Sequence, residues 1–65
     1  MNWDQIAGEW RQATGKLRAK WGKLTDSDLE MIKGKKDVFI GRLQERYGWK
    51  KDQAEKDLDE YLKKL

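Results

Sequence analysis

Seven cations offer the first chemistry in this chain: Arg11, Lys16, Arg18, Lys20 and Lys23, followed just past a short hinge by Lys35 and Lys36. Lys33 adds to the same basic bias, and Trp10 and Trp21 lie nearby in sequence. Cations for phosphates and flat rings for bases are what a nucleic-acid surface requires. A second possibility is the pair Asp26 and Asp28, two carboxylates that a divalent cation would accept as ligands. Both possibilities have plainer competitors. The tryptophans fall at core spacing, and a ring packed in a core cannot stack on a base. Acids in the first turn of a helix already cap it and favour its dipole, while an oxygen-ligated cation needs about six or more ligands. The hinge itself, Lys23-Leu24-Thr25-Asp26-Ser27-Asp28, carries acids where helical DNA binders usually carry a glycine-containing turn.

The chain has no His and no Cys, which removes the commonest general acid or base, the commonest metal ligand and any disulfide framework. Paired carboxylates for hydrolysis would need a cleft that raises one pKa, and 65 residues leave little room for one. No catalytic residue, cofactor site, metal site or small-molecule substrate is therefore expected, and the chain reads as a non-enzyme. No apolar run exceeds three residues, so neither a membrane span nor a signal-peptide core is expected, and the simplest location is the cytoplasm. A net charge of +3 tolerates anionic partners, but acids and bases alternate, which reads first as a solvated surface.

These groups need a scaffold, and the chain supplies one twice. Shifted by 26 residues, Ile6 meets Ile32, Gly8 meets Gly34, Gly15 meets Gly41, Leu17 meets Leu43, Gly22 meets Gly48, and Trp21 meets Tyr47. An internal repeat of one unit joined at the hinge is the result. Trp3, Ile6, Trp10, Ala13, Leu17 and Trp21 recur every three or four residues, one helical face, and their shifted partners Leu29, Ile32, Lys36, Phe39, Leu43 and Tyr47 stay apolar at five of six positions. Ala54, Leu58, Tyr61, Leu62 and Leu65 make a shorter stripe.

With 42% charged residues, no Pro, and charges carried mostly by Lys, Arg and Glu, the fold class is all-α, a single domain over residues 1–65. Asn2 with Gln5, and Thr25 with Asp28, have the spacing of capping boxes; Met1–Ile6 and Leu24–Leu29 have that of hydrophobic staples. Lys50 offers no cap oxygen, so the third helix start is the weakest. The helices are expected at about 2–21, 26–47 and 51–63, with Gly22 and Gly48 as left-handed stops. The first should kink near Thr14 and Gly15, and the second should run on without a break. The remaining glycines, spaced by seven, read as close approaches between packed helices. In the last helix Asp52–Lys56, Asp59–Lys63 and Glu60–Lys64 place acid before base.

Trp21-Gly22-Lys23-Leu24-Thr25-Asp26 and Leu43-Gln44-Glu45-Arg46-Tyr47-Gly48, with Gly34-Lys35 and Ala54-Glu55, resemble the CsbD-like family of small bacterial stress-response proteins. The resemblance covers nearly the whole chain. It implies a bundle of four or five helices arranged as two α-hairpins packed crosswise, similar to a sterile-alpha-motif domain, and it brings no active site to carry over. The function expected is a non-enzymatic stress-response role, as a hydrophilic protectant. The alternatives are a nucleic-acid-binding module using the basic first copy and a protein-interaction module, the chain otherwise being a monomer with at most weak self-association.

Overall fold

The apolar stripes are buried. Ile6, Ala13, Leu17 and Trp21 from the first copy meet Leu24 from the hinge, Leu29, Ile32, Phe39, Ile40 and Leu43 from the second copy and Ala54 and Leu58 from the last helix in one cluster. Trp3, Trp10, Val38, Tyr47, Trp49, Tyr61 and Leu62 close over it as a half-buried shell. The computed structural model describes residues 2–64, so Met1 of the first staple and Leu65 of the last stripe lie outside the described residues. The Cα radius of gyration is 10.6 Å, against about 11 Å for a compact chain of this length and about 24 Å for an unfolded one. The heavy charge has not prevented collapse.

Among the described residues five helices carry most of these side chains, α1 (Trp3–Gly8), α2 (Trp10–Lys20), α3 (Asp26–Ile32), α4 (Lys36–Tyr47) and α5 (Lys51–Lys64), with Trp21, Leu24 and Trp49 in the connections. Packing follows chain order, α1 against α2, α3 against α4 and α4 against α5. Both capping boxes form. Asn2 accepts from the Gln5 amide and the Gln5 side chain accepts from the Asn2 amide; Thr25 and Asp28 do the same at α3. Each satisfies two amides that the first helical turn leaves without partners.

Three boundary expectations need correction. The first long helix breaks at Glu9 (φ −119°, ψ 44°), not at Thr14 and Gly15. The Thr14 hydroxyl donates to the Arg11 carbonyl at 2.9 Å within an unbroken α2, while the bend at Glu9 lets Trp3 and Trp10 both turn inward with ring centroids 6.0 Å apart. The second long helix does break, at Lys33–Lys35, where Lys33 (φ 46°) and Gly34 (φ 83°) are left-handed; it runs on through Gly41 as expected. Gly48 stops α4 in the left-handed region (φ 71°). Gly22 does not share that conformation. The chain leaves α2 at Trp21, whose ring is drawn into the core, and the Leu24 amide closes the turn on the Trp21 carbonyl at 3.0 Å.

Close approach is confined to one glycine. A Cβ on Gly34 would sit 3.2 Å from the Ala7 Cβ, whereas Gly8, Gly15, Gly22, Gly41 and Gly48 have nothing within 4 Å. Nor do the acid-before-base pairs of α5 close: the ion pairs among the described residues involve Arg18, Arg42 and Arg46.

Candidate functional site

The expected cations are spread along the fold. Arg11, Lys16, Arg18 and Lys20 lie exposed on α2, and Lys23 follows it in the turn. Arg18 Nη1 donates to Asp26 Oδ1 at 2.7 Å, tying the end of α2 to the start of α3. The Lys20 ammonium stands 5.8 Å from the Trp21 ring centroid, and that of Lys23 stands 5.1 Å from the Tyr47 ring. Lys35 is the residue before α4 and caps it with no side-chain hydrogen bond. Lys36 opens α4 and lines two separate grooves.

Acids accompany these cations wherever the surface is concave. A groove of about 360 Å³ between α2 and α3 brings Arg11 and Lys33 together, but with Asp26 and Glu30 beside them and with Trp10, Thr14 and Leu29 as its floor. Along α4 and α5, Lys36 and Lys51 share a groove with Asp37 and Glu55. Under α5, Lys36 and Lys63 flank Asp59. Mixed charge of this kind offers a polyanion attraction and repulsion within one Debye length.

The rings expected to compete for this role face inward. Trp21 is 1% exposed and donates its indole N–H to Asp57 Oδ2 at 2.8 Å. Trp3 donates to the Gly34 carbonyl at 2.8 Å and Trp10 to the Leu29 carbonyl at 3.1 Å. Trp49 stacks on Tyr47 with centroids 4.4 Å apart and planes at 16°. Two of the four indoles thus anchor the first half onto backbone carbonyls of the second.

The most constrained charge among the described residues is one that sequence reasoning read first as a cap. Asp28 is 2% exposed. Arg46 grips it with both arms, Nε to Oδ2 at 2.8 Å and Nη2 to Oδ1 at 2.9 Å. The Thr25 amide donates to Oδ2 at 3.0 Å, and Arg42 Nη1 lies 3.8 Å from Oδ1. The hydrogen bond from Arg46 leads in holding the Asp28 carboxyl down, from the ordinary 3.8 to about 2, against the opposing effect of burial; the carboxylate in turn raises Arg46. A carboxylate so occupied is a poor base at neutral pH. What the arrangement does is clamp α3 to α4. One signal was available in the sequence: Arg42 and Arg46 stand where the first copy has Lys16 and Lys20, and arginine is the residue suited to two-armed recognition of a carboxylate.

Asp26 and Asp28 are therefore each engaged by an arginine, Arg18 and Arg46 respectively. No cluster of three or more acidic, His or Cys side chains forms among the described residues, and no described helix is long and apolar enough to cross a membrane.

Comparison with known proteins places these features in a family. The CsbD-like family model matches residues 4–56. The chain is 53% identical over 58 residues to UPF0337 protein YjbJ of Escherichia coli strain K12, covering 89% of this chain and 84% of that protein. It is 55% identical over 58 residues to UPF0337 protein ECA0631 of Pectobacterium atrosepticum, with coverage of 89% and 84%. With UPF0337 protein PA4738 of Pseudomonas aeruginosa it shares 46% over 65 residues, the full length of both. An all-helical bundle with its tryptophans turned inward, matched by the family model across most of its length, belongs to the CsbD-like family of bacterial stress-response proteins.

Proposed function

We propose that this chain acts without catalysis, as a folded hydrophilic protectant in the bacterial cytoplasm, and that residues 1–65 work as one monomeric domain. The observation that carries the reading is the surface. Among the described residues Met31 is the one large hydrophobic side chain classed as exposed, while 42% of the chain is charged and the mean hydropathy is −1.12. A surface of interspersed charges stays hydrated and resists self-association at high concentration. Such a molecule can stand between unfolding neighbours without binding any of them tightly, and it needs no site. Burial of the rings supports the same reading, because it withholds the adhesive part of the composition from solvent.

The test is to dry or heat a labile enzyme with increasing amounts of the purified chain, using a small folded protein of ordinary composition as control. Protection that grows with concentration and leaves no complex on size-exclusion chromatography supports the reading. Protection no better than the control overturns it, as does a stoichiometric complex, which would point to an interaction module. Steeply salt-dependent retention of DNA or RNA, lost on neutralising Arg11, Lys16, Arg18, Lys20, Lys23, Lys35 and Lys36 together, would replace it with a nucleic-acid role.

A further inference from the structure

Met31 differs from its neighbours on α3. It is 59% exposed, whereas Leu29 and Ile32 beside it are 2% and 0% exposed. Its sulfur nevertheless has a partner, because Arg42 Nη2 donates to Sδ at 3.3 Å from α4. Arg42 is itself held in place. Its Nη1 donates to Glu45 Oε2 at 2.9 Å and lies 3.8 Å from Asp28 Oδ1, and its side chain is only 22% exposed. A thioether is a weak acceptor, so a guanidinium N–H gains little from it. A sulfoxide oxygen carries much more negative charge and would take the same N–H in a charge-assisted bond.

We propose that Met31 is an oxidation site for hydroperoxides, and that Arg42 receives the sulfoxide oxygen, so that the chain takes up oxidant while its fold tightens. In the step, the sulfur lone pair attacks one oxygen of hydrogen peroxide, and the O–O bond breaks as the S–O bond forms. The proton on the transferred oxygen passes to the departing hydroxide, which leaves as water. Sulfur loses two electrons and the peroxide gains them. Exposure admits the oxidant to Met31. Sulfoxide formation ordinarily disrupts the packing of a methionine, but this side chain lies outside the core and its oxidised form gains a partner on the facing helix.

The experiment is a hydrogen peroxide titration of the full chain, followed by peptide mass mapping and thermal unfolding. Oxygen is expected on Met31 before the fold loosens, with Tm raised by about 2–6 °C, the effect of one added surface charge-assisted hydrogen bond in a domain of this size. Arg42→Gln should still be oxidised at Met31 but lose the rise. Met31→Leu, which keeps Met1, should show no rise at all. A fall or no change in wild-type Tm overturns the proposal, as does a rise that persists in either variant, or modification only at peroxide levels that unfold the chain. Should Arg42→Gln fail to fold, nitrogen NMR of the wild-type guanidinium groups decides. Oxidation must shift the Arg42 side-chain resonances more than those of Arg46, and equal or absent shifts refute the assignment.

Discussion

Gly8 and Gly34 occupy matching positions 26 residues apart, each beside the joint between a short helix and a long one. At Gly8 the helix merely bends: Glu9 ends α1 and begins α2, and its amide is shared between the Gln5 and Ile6 carbonyls, both at 3.2 Å. At Gly34 the chain leaves the helix through two left-handed residues, and the freed Gly34 carbonyl accepts the Trp3 indole. The charges diverge in the same way. Asp28, Arg42 and Arg46 make a clamp on a buried carboxylate, while their counterparts Asn2, Lys16 and Lys20 are exposed. Both halves bury the same stripe except at Lys36, which is exposed where its match Trp10 packs against the core, but the second grips itself with an ion pair and the first grips the second with indole N–H groups. Similar apolar patterns therefore set what is buried, and the polar substitutions set how each half is fastened.

The largest expected contrast lies at Trp21 and Tyr47, which also match under the shift. Trp21 is fully enclosed and meets Phe39 and Tyr61 edge-on, so Trp21→Ala should cost about 3–5 kcal/mol. That is much of the total of about 3–10 kcal/mol expected for a chain of this length. Tyr47 is half-buried, and Tyr47→Ala should cost about 1–2 kcal/mol. Urea midpoints at constant m measure both, and equal losses would break the comparison.

Next comes the clamp. Asp28→Ala should cost about 2–3 kcal/mol, below the usual figure for a broken buried pair because Arg46 is partly exposed and can regain water. Asn2→Ala, which removes only a cap, should cost about 1 kcal/mol. Acid sharpens the point. The Asp28 carboxyl is depressed from 3.8 to about 2, so its stabilisation is complete above about pH 4 and is lost as the pH falls through about 2. Between those limits, Tm should fall more steeply in the wild type than in Asp28→Asn. Parallel slopes would show that Arg46 does not hold the carboxylate in solution.

At the glycines the sign itself should differ. Gly34→Ala forces a side chain into a left-handed conformation and against Ala7, at a cost of about 1–2 kcal/mol. Gly8→Ala meets nothing within 4 Å and should gain about 0.4–1 kcal/mol by restricting the unfolded chain. Chemical denaturation of the two single variants tests this, and losses of the same sign would remove the distinction between bend and turn.

Much of the fold was legible. Helical class, the buried stripes, both capping boxes and the left-handed Gly48 follow from spacing and local chemistry. Legibility failed at the joints, because Thr14-Gly15 is locally weaker than Gly8-Glu9 and only the inward packing of Trp3 and Trp10 moves the bend. It failed again at the clamp. Asp28 and Arg46 are 18 residues apart, and no helical periodicity pairs them. The surface cations could be named from the sequence, but their mixing with Asp26, Glu30, Asp37, Asp59 and Glu55 depends on how the helices pack.

Residue order alone settled which apolar side chains would leave water, since burial follows from a periodicity of three to four and a hydrophobic gain that needs no particular partner. Direction had to wait for the packed helices. Hydrogen bonds and ion pairs work only at short range and along defined lines, so which carbonyl takes each indole, which arginine takes Asp28 and where each long helix gives way are decided when the five helices meet.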